Sequence, residues 1–311
     1  MLEALNEFKI IPKIDVVSAI SGGAIIGALL NLYAKDWNGF SLKVEELLSE
    51  GLQARLYKKF LDFRWIIGQG IPPDSFADIL DKRLFSGIKL AEIAEKPRLI
   101  LNAADLKTGS NFKFSRDCCG SYRLGSHSVA DLRLSQAVAC SAAFTLAFSV
   151  KKLKLSGGKE AHLTDGGVYD GLGANALMPD KGESSILVQS CETIITSDAS
   201  FPYQESPKGI DIFFKNRMES SYYCSTNRNR SLIYNRLYML NKSKEIPYLG
   251  TIKMDSKHDD LTKGWDKKDL AYINSYKTDF EPVIGKAIKL LKDRGKRSAE
   301  IIVKQYLTHL L

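Results

Sequence analysis

The run Ala19-Ile20-Ser21-Gly22-Gly23 holds the residue types from which a nucleophile is built. A serine with small residues two positions to either side has the composition of a nucleophile elbow, a tight strand-to-helix turn that lifts a hydroxyl clear of the backbone. The flanks agree. Ile14 to Ile20 is a short, apolar, β-branched run that reads as a strand, and Ala24 to Tyr33 reads as a helix apolar enough for burial. The first turn of such a helix aims backbone N–H groups and a positive dipole end at the reacting oxygen, so Gly22 N–H is expected as an oxyanion donor, with Gly23 completing the turn. The bland alternatives are a glycine-rich turn without chemistry and a phosphate loop; the Lys-Ser/Thr ending of a P-loop is missing.

A serine nucleophile needs a base. The four histidines, His127, His162, His258 and His309, lie in no pattern that pairs one with an acidic partner after a strand. Asp165 is the better candidate, because it ends a short apolar run and is followed by Gly166 and Gly167, which let a carboxylate come close to another backbone. Asp-Gly-Gly alone is an ordinary turn. A buried carboxylate can nevertheless act as a base when desolvation lifts its pKa towards neutrality.

Together the two motifs resemble the patatin-like phospholipases. The resemblance covers residues 1 to about 202 and continues between and beyond the motifs, in Ile100–Phe114 (ILNAADLKTGSNFKF), Leu134–Phe144 (LSQAVACSAAF), Val168–Asn175 (VYDGLGAN) and Ile194–Pro202 (IITSDASFP). It implies an α/β fold, the patatin-like three-layer α/β/α sandwich. It also implies a Ser21–Asp165 dyad without histidine, Gly166 and Gly167 as the turn supporting the dyad, and lipid esters as substrates of a phospholipase A or lysophospholipase reaction through an acyl-enzyme. No metal and no cofactor is expected. Two departures stand out. Ala19 replaces the first elbow glycine, and the family's Gly-Gly-Gly-x-Arg/Lys-Gly oxyanion loop has no counterpart. The expectation is a catalytic domain incomplete at its N-terminus, with the natural start upstream of Met1. Two other outcomes stay open: a catalytically impaired module that binds lipid or a partner, and a Ser-His-Asp esterase using His258.

The elements that must position these residues follow from pattern. Residues 2–8 read as the last turns of a helix, 41–62 as a helix, and Asp74 to Leu84 as another with Asp74 as N-cap. Arg98–Ala104 and Phe112–Ser115 read as strands joined across Lys107-Thr108-Gly109. Leu132–Ala143 reads as a helix, and Ala161–Thr164, Ser185–Gln189 and Glu192–Thr196 as short strands. From Gly209 the character changes, with long basic helices expected over Asp211–Leu240 and Pro282–Leu311. No linker separates domains. Residues 1–202 are expected to form the catalytic domain, and 203–311 a mainly helical part packed on it.

The chain has 311 residues, of which 44% are hydrophobic and 26% charged, as in a globular protein with a sizeable core. Its net charge of +8 is one-sided: residues 1–200 hold 23 basic and 23 acidic residues, residues 201–311 hold 21 and 13. The basic groups of 208–236 and 286–297 suit peripheral contact with an anionic membrane or simply a solvated helix face. Phe144, Leu146 and Phe148 suit either an acyl groove or plain core. Tyr222, Tyr223, Arg228 and Arg230 interleave aromatics with charge but no recognition motif accompanies them, so no nucleic-acid partner is expected. Five cysteines, two of them adjacent, fit reduced thiols and a cytoplasmic location, and no apolar run reaches the ~18 residues of a membrane span.

Overall fold

The computed structural model describes residues 1–52, 70–178, 191–199, 214–253, 264–276, 281–283 and 285–311. Within them the chain runs through helix α1 (Leu2–Glu7), strand β1 (Val16–Ala19), helices α2 (Ser21–Leu32), α3 (Trp37–Glu50) and α4 (Pro73–Leu80), and strands β2 (Arg98–Asp105), β3 (Ser110–Phe114), β4 (Cys119–Ser121) and β5 (Gly125–His127). Helix α5 (Leu134–Ala142), strands β6 (Lys151–Lys154), β7 (Glu160–Asp165) and β8 (Thr193–Asp198), helix α6 (Phe214–Lys242), strand β9 (Tyr248–Lys253) and helices α7 (Lys267–Asn274) and α8 (Lys286–Tyr306) complete it.

The fold is a three-layer α/β/α sandwich. Its main sheet has the order β5-β4-β3-β2-β7-β6, with β1 also paired to β2. β2 is the hub: all but its first residue are buried. Its apolar residues meet α2 and α5, and α4 packs on α5, in one continuous core that includes Phe76, Phe85, Phe112 and Phe114. Each such side chain contributes about 1.5–3 kcal/mol by leaving water. Small residues let α2 lie close on β1. An added Cβ at Gly27 would stand 3.1 Å from the Ala19 Cβ. A second sheet pairs β8 and β9 in parallel. α8 packs beside them, and its Val303, with Leu307 just beyond it, joins Leu5 and Ile10 near the N-terminus.

Local chemistry moved several expected boundaries. The expected N-cap Asp74 lies inside the first turn of α4, which starts at Pro73. Proline fits that first position because its missing N–H would have had no partner there. The Asp74 carboxylate instead holds Lys151 at 2.6 Å. α3 begins earlier than the apolar pattern suggests because the Asp36 carboxylate caps it, accepting from Gly39 N–H at 2.9 Å. It ends at Gly51, and the rest of the expected 41–62 helix from residue 53 lies outside the described residues, as does the expected strand Ser185–Gln189. The first expected strand shortens to Val16–Ala19, because a 3₁₀ turn over Ile11–Lys13 precedes it.

Candidate active site

Two strands end head to head along one edge of β2. Ala19, the last residue of β1, pairs with Leu101 in parallel. Asp165, the last residue of β7, pairs with Ala103 antiparallel. β3 occupies β2's opposite edge over the same residues. The C-terminal ends of β1 and β7 therefore point at each other with Asn102 between them. Ser21 lies just beyond one end and Asp165 is the other, so a parallel and an antiparallel strand bring together two side chains remote in sequence.

Ser21 makes the turn from strand to helix with φ +51°, a left-handed conformation that costs a non-glycine residue about 1–2 kcal/mol. Ile20 provides no side-chain cap to α2. The first N–H groups of the helix, those of Gly22 and Gly23, thus open beside the Ser21 hydroxyl. Both glycines are exposed, and an added Cβ at either would meet nothing within 4 Å. The close packing that demands small residues falls on Ala19 and Gly27 instead.

Asp165 is almost wholly buried, and burial pushes its carboxyl up from 3.8 to about 6. Hydrogen bonds from the Ser21 hydroxyl and from Gly167 N–H pull the other way. The Gly167 bond is well formed, at 2.7 Å to Oδ1. Oδ2 has no well-aligned partner, so the serine contact is long or oblique, as such contacts often are before substrate tightens them. Gly166 is fixed by sterics: a Cβ there would sit 2.3 Å from the Asn102 carbonyl oxygen.

Asn102 fills the gap between the strand ends and is fully buried. Its amide group donates to the Ser18 hydroxyl at 2.9 Å and to the Ala19 carbonyl at 3.2 Å, and its side-chain oxygen accepts from Asn111 at 3.1 Å. The Ser141 hydroxyl, from α5 behind the sheet, donates to the Asn102 carbonyl at 2.6 Å. The sequence reading singled out neither Asn102 nor Ser141, since a lone Asn inside an apolar strand carries no motif.

The described histidines stand away from the pair. His127 is hydrogen-bonded to Ser156 Oγ at 2.6 Å, and His162 to Glu160 at 2.7 Å. His309 stacks on Tyr248. His258 lies outside the described residues. The groove candidates divide: Phe148 is buried against Phe76, Leu146 is 46% exposed, and half-buried Phe144 meets Tyr222 edge-on. Burial raises the thiols of Cys119 to about 11 and Cys140 to about 12, which leaves both as inert core groups. Among the described residues no group of three or more His, Cys, Asp or Glu is arranged to hold a metal ion, and no helix is long and apolar enough to cross a membrane.

The family model for patatin-like phospholipase matches residues 1–178, more than half of the chain. The chain belongs to the patatin-like phospholipase family. A comparison with curated proteins finds no match. The patatin-like match spans both strand ends, Ser21 and Asp165, and stops before α6, although α6 reaches the same site. Membership makes the protein one of a family acting on lipid substrates.

Proposed function

We propose that this protein is a serine acyl hydrolase cleaving lipid esters, in a phospholipase A or lysophospholipase reaction, with Ser21 as nucleophile and Asp165 as its base. The observation that carries the reading is the meeting of β1 and β7 at Asn102, which puts a strained, half-exposed serine beside a buried carboxylate of raised pKa.

In this reading Asp165 accepts the hydroxyl proton as Ser21 Oγ bonds to the ester carbonyl carbon. The carbonyl π electrons move to oxygen, and Gly22 N–H donates to that oxyanion. Its collapse breaks the bond to the alcohol, which leaves with the proton from Asp165. Water then attacks the acyl-serine, giving its proton to Asp165. The second collapse releases the fatty acid and returns a proton to Ser21. Desolvation keeps Asp165 basic enough to take a proton near neutrality, while Gly167 N–H fixes one of its oxygens.

Residues 1–202 would form the catalytic domain and 203–311 a helical part packed on it. Membrane contact, if the substrate is met at a bilayer, falls more naturally to α6 than to α8. α8 commits several of its basic residues internally, Lys292 to Glu45 at 2.9 Å and Lys296 to Glu7 at 2.6 Å, while Arg294 is buried. α6 instead exposes Phe214 and Met218.

The test is labelling by a fluorophosphonate together with hydrolysis of a lysophospholipid. Ser21→Ala and Asp165→Asn should each lose at least about 10³-fold, whereas His258→Ala should keep both activities. Full labelling of Asp165→Asn would sink the dyad. An unlabelled parent protein would favour a binding module instead, and loss on His258→Ala would favour a triad.

A further inference from the structure

Helix α6 lies beyond the family match yet is stitched to the turn that follows Asp165. The Asn229 side chain donates to the Tyr169 carbonyl, and an added Cβ at Gly171 would be 3.4 Å from Arg230. Arg230 also pairs with Asp198 at 3.5 Å. Two turns back along the same helix face is Tyr222. Its ring meets Phe144 edge-on, with centroids 5.6 Å apart, and its hydroxyl lies close enough to Thr145 for the two to interact.

The Phe144–Thr145 segment is tied to the strand that carries Asp165. Asp165 N–H donates to the Ala143 carbonyl at 3.1 Å, and the hydroxyls of Thr145 and Thr164 are 3.0 Å apart. Tyr222 therefore touches the segment on which Asp165 is hung. It is close enough to feel the carboxylate, which helps to hold the phenol well above the ordinary tyrosine value, after burial as the main cause.

We propose that Tyr222 is a positioning residue for the dyad: its ring, packed on Phe144, closes the Asp165 side of the site to water, and its hydroxyl, beside Thr145, helps to hold the Ala143–Thr145 segment on β7. The inference rests on the Ser21–Asp165 reading. A carboxylate at a strand end beside exposed glycines would be wetted without such a cover, and water would return it towards the usual carboxylate range.

Other charged groups around β7 are engaged elsewhere. On β6, Lys151 pairs with Asp74, and Lys152 points to solvent. On β7 itself Glu160 pairs with His162. On β2, Asp105 accepts from Thr108 at 2.6 Å and from His162 N–H at 2.8 Å. On α5, Cys140 is a neutral thiol. On α6, Glu219 acts on Tyr223. The groups that act on Asp165 are Ser21 and the Gly167 N–H, with Tyr222 beside them.

The experiment titrates the Asp165 carboxyl by NMR in protein labelled at the Asp side-chain carbon, the resonance being assigned with Asp165→Asn. In the parent the midpoint should fall near 6. Tyr222→Ala and the milder Tyr222→Leu should lower it, the former by about one unit. Tyr222→Phe keeps the ring and should keep the midpoint, while weakening the hold on Thr145 and slowing fluorophosphonate labelling of Ser21 several-fold. Tyr238→Ala, far along α6 and 61% exposed, should change neither. If Tyr222→Ala is not folded by circular dichroism, Tyr222→Leu decides. An unchanged midpoint in the folded variant overturns the inference. So does a Tyr222→Phe midpoint that moves as far as that of the smaller variants. The dyad itself fails on a different reading, full labelling of Asp165→Asn.

Discussion

The Asn102 amide reaches the Ala19 carbonyl at 3.2 Å, tying β2 to the last residue of β1 at the one point on that edge between the pairings of β1 and β7. A strand pair would normally supply such a bond from the backbone. Here the backbone pairing has just ended, so a side chain replaces it and sets the position from which the chain turns into Ser21.

Removing that side chain should damage both fold and chemistry. Asn102→Ala deletes the bonds to Ser18 and Ala19 and leaves Asn111 without its acceptor. A buried network broken in this way costs about 2–4 kcal/mol. We expect a loss of that size in urea unfolding and a fall in kcat larger than the change in KM. A loss under about 0.5 kcal/mol, the range of a neutral surface change, would show that the network does not hold the strand end.

Asp165 should give opposite signatures in activity and stability. In its proposed role as base it must be ionised, so labelling of Ser21 should rise with pH through a midpoint near 6. For stability, the folded pKa is raised above the unfolded value of 3.8. Between these pH values the folded state binds more proton than the unfolded one, so stability falls as pH rises through that window and stays lower above it. The shift of about two units corresponds to at most about 3 kcal/mol. Asp165→Asn should thus be more stable than the parent at pH 8 and inactive, and nearly equal to it in stability at pH 4. Chemical denaturation at the two pH values checks this, and a variant less stable at pH 8 would contradict it.

Ser21 stores backbone strain that glycine would release. Ser21→Ala keeps the Cβ at φ +51° and should leave stability near the parent's. Ser21→Gly removes the penalty of about 1–2 kcal/mol but restores chain entropy to the unfolded state, so a net gain of up to about 1 kcal/mol over Ser21→Ala is expected. Both should be unreactive to fluorophosphonate. Equal melting temperatures would mean the turn is not strained.

Contact with anionic lipid should depend on α6. Sedimentation with phosphatidylserine vesicles should fall between low and high salt. Phe214→Ser with Met218→Ser should weaken it further, because both side chains are exposed. Lys292→Gln should not, because that lysine already faces Glu45. Salt-independent sedimentation would speak against the electrostatic part of this reading.

Ser21 and Asp165 stood out in the sequence because an elbow and an Asp-Gly-Gly turn are each written in a few adjacent residues, and the ends of β1 and β7 meet beside them. β2 and α5 were legible because burial leaves a nearly continuous apolar or small-residue record, and β3 because Phe112 and Phe114 alternate with polar residues just past a turn signal. β4, β5 and β6 were not: they are three or four residues long, and Lys151–Lys154 alternates charge with a single leucine. The role of α6 was hidden for a related reason. The face it turns to the body includes Glu219, Tyr222, Thr226, Asn229 and Arg230 before Ile233 and Leu237, so it docks by hydrogen bonds and ion pairs and shows little apolar stripe. Asn102 could be found only from strand pairing, since its importance lies in which strands end beside it.

The glycines of the two motifs should separate cleanly. Gly166→Ala forces a Cβ against the Asn102 carbonyl, a backbone atom that cannot swing aside. Overpacking of this kind costs about 1–3 kcal/mol, and the shift would move Asp165 with it, so stability and labelling should fall together. At Gly22 and Gly23 a Cβ meets open space at the start of a helix, where alanine is favoured over glycine by up to about 1 kcal/mol. Gly22→Ala and Gly23→Ala should therefore be as stable as the parent or slightly more so. If these residues face the oxyanion and the ester, the added methyl crowds substrate rather than protein, and lysophospholipid hydrolysis should fall at least about tenfold with no loss of stability. Full activity in both variants would mean that the glycine pair borders no substrate, and the oxyanion donor would have to be sought elsewhere than at the start of α2.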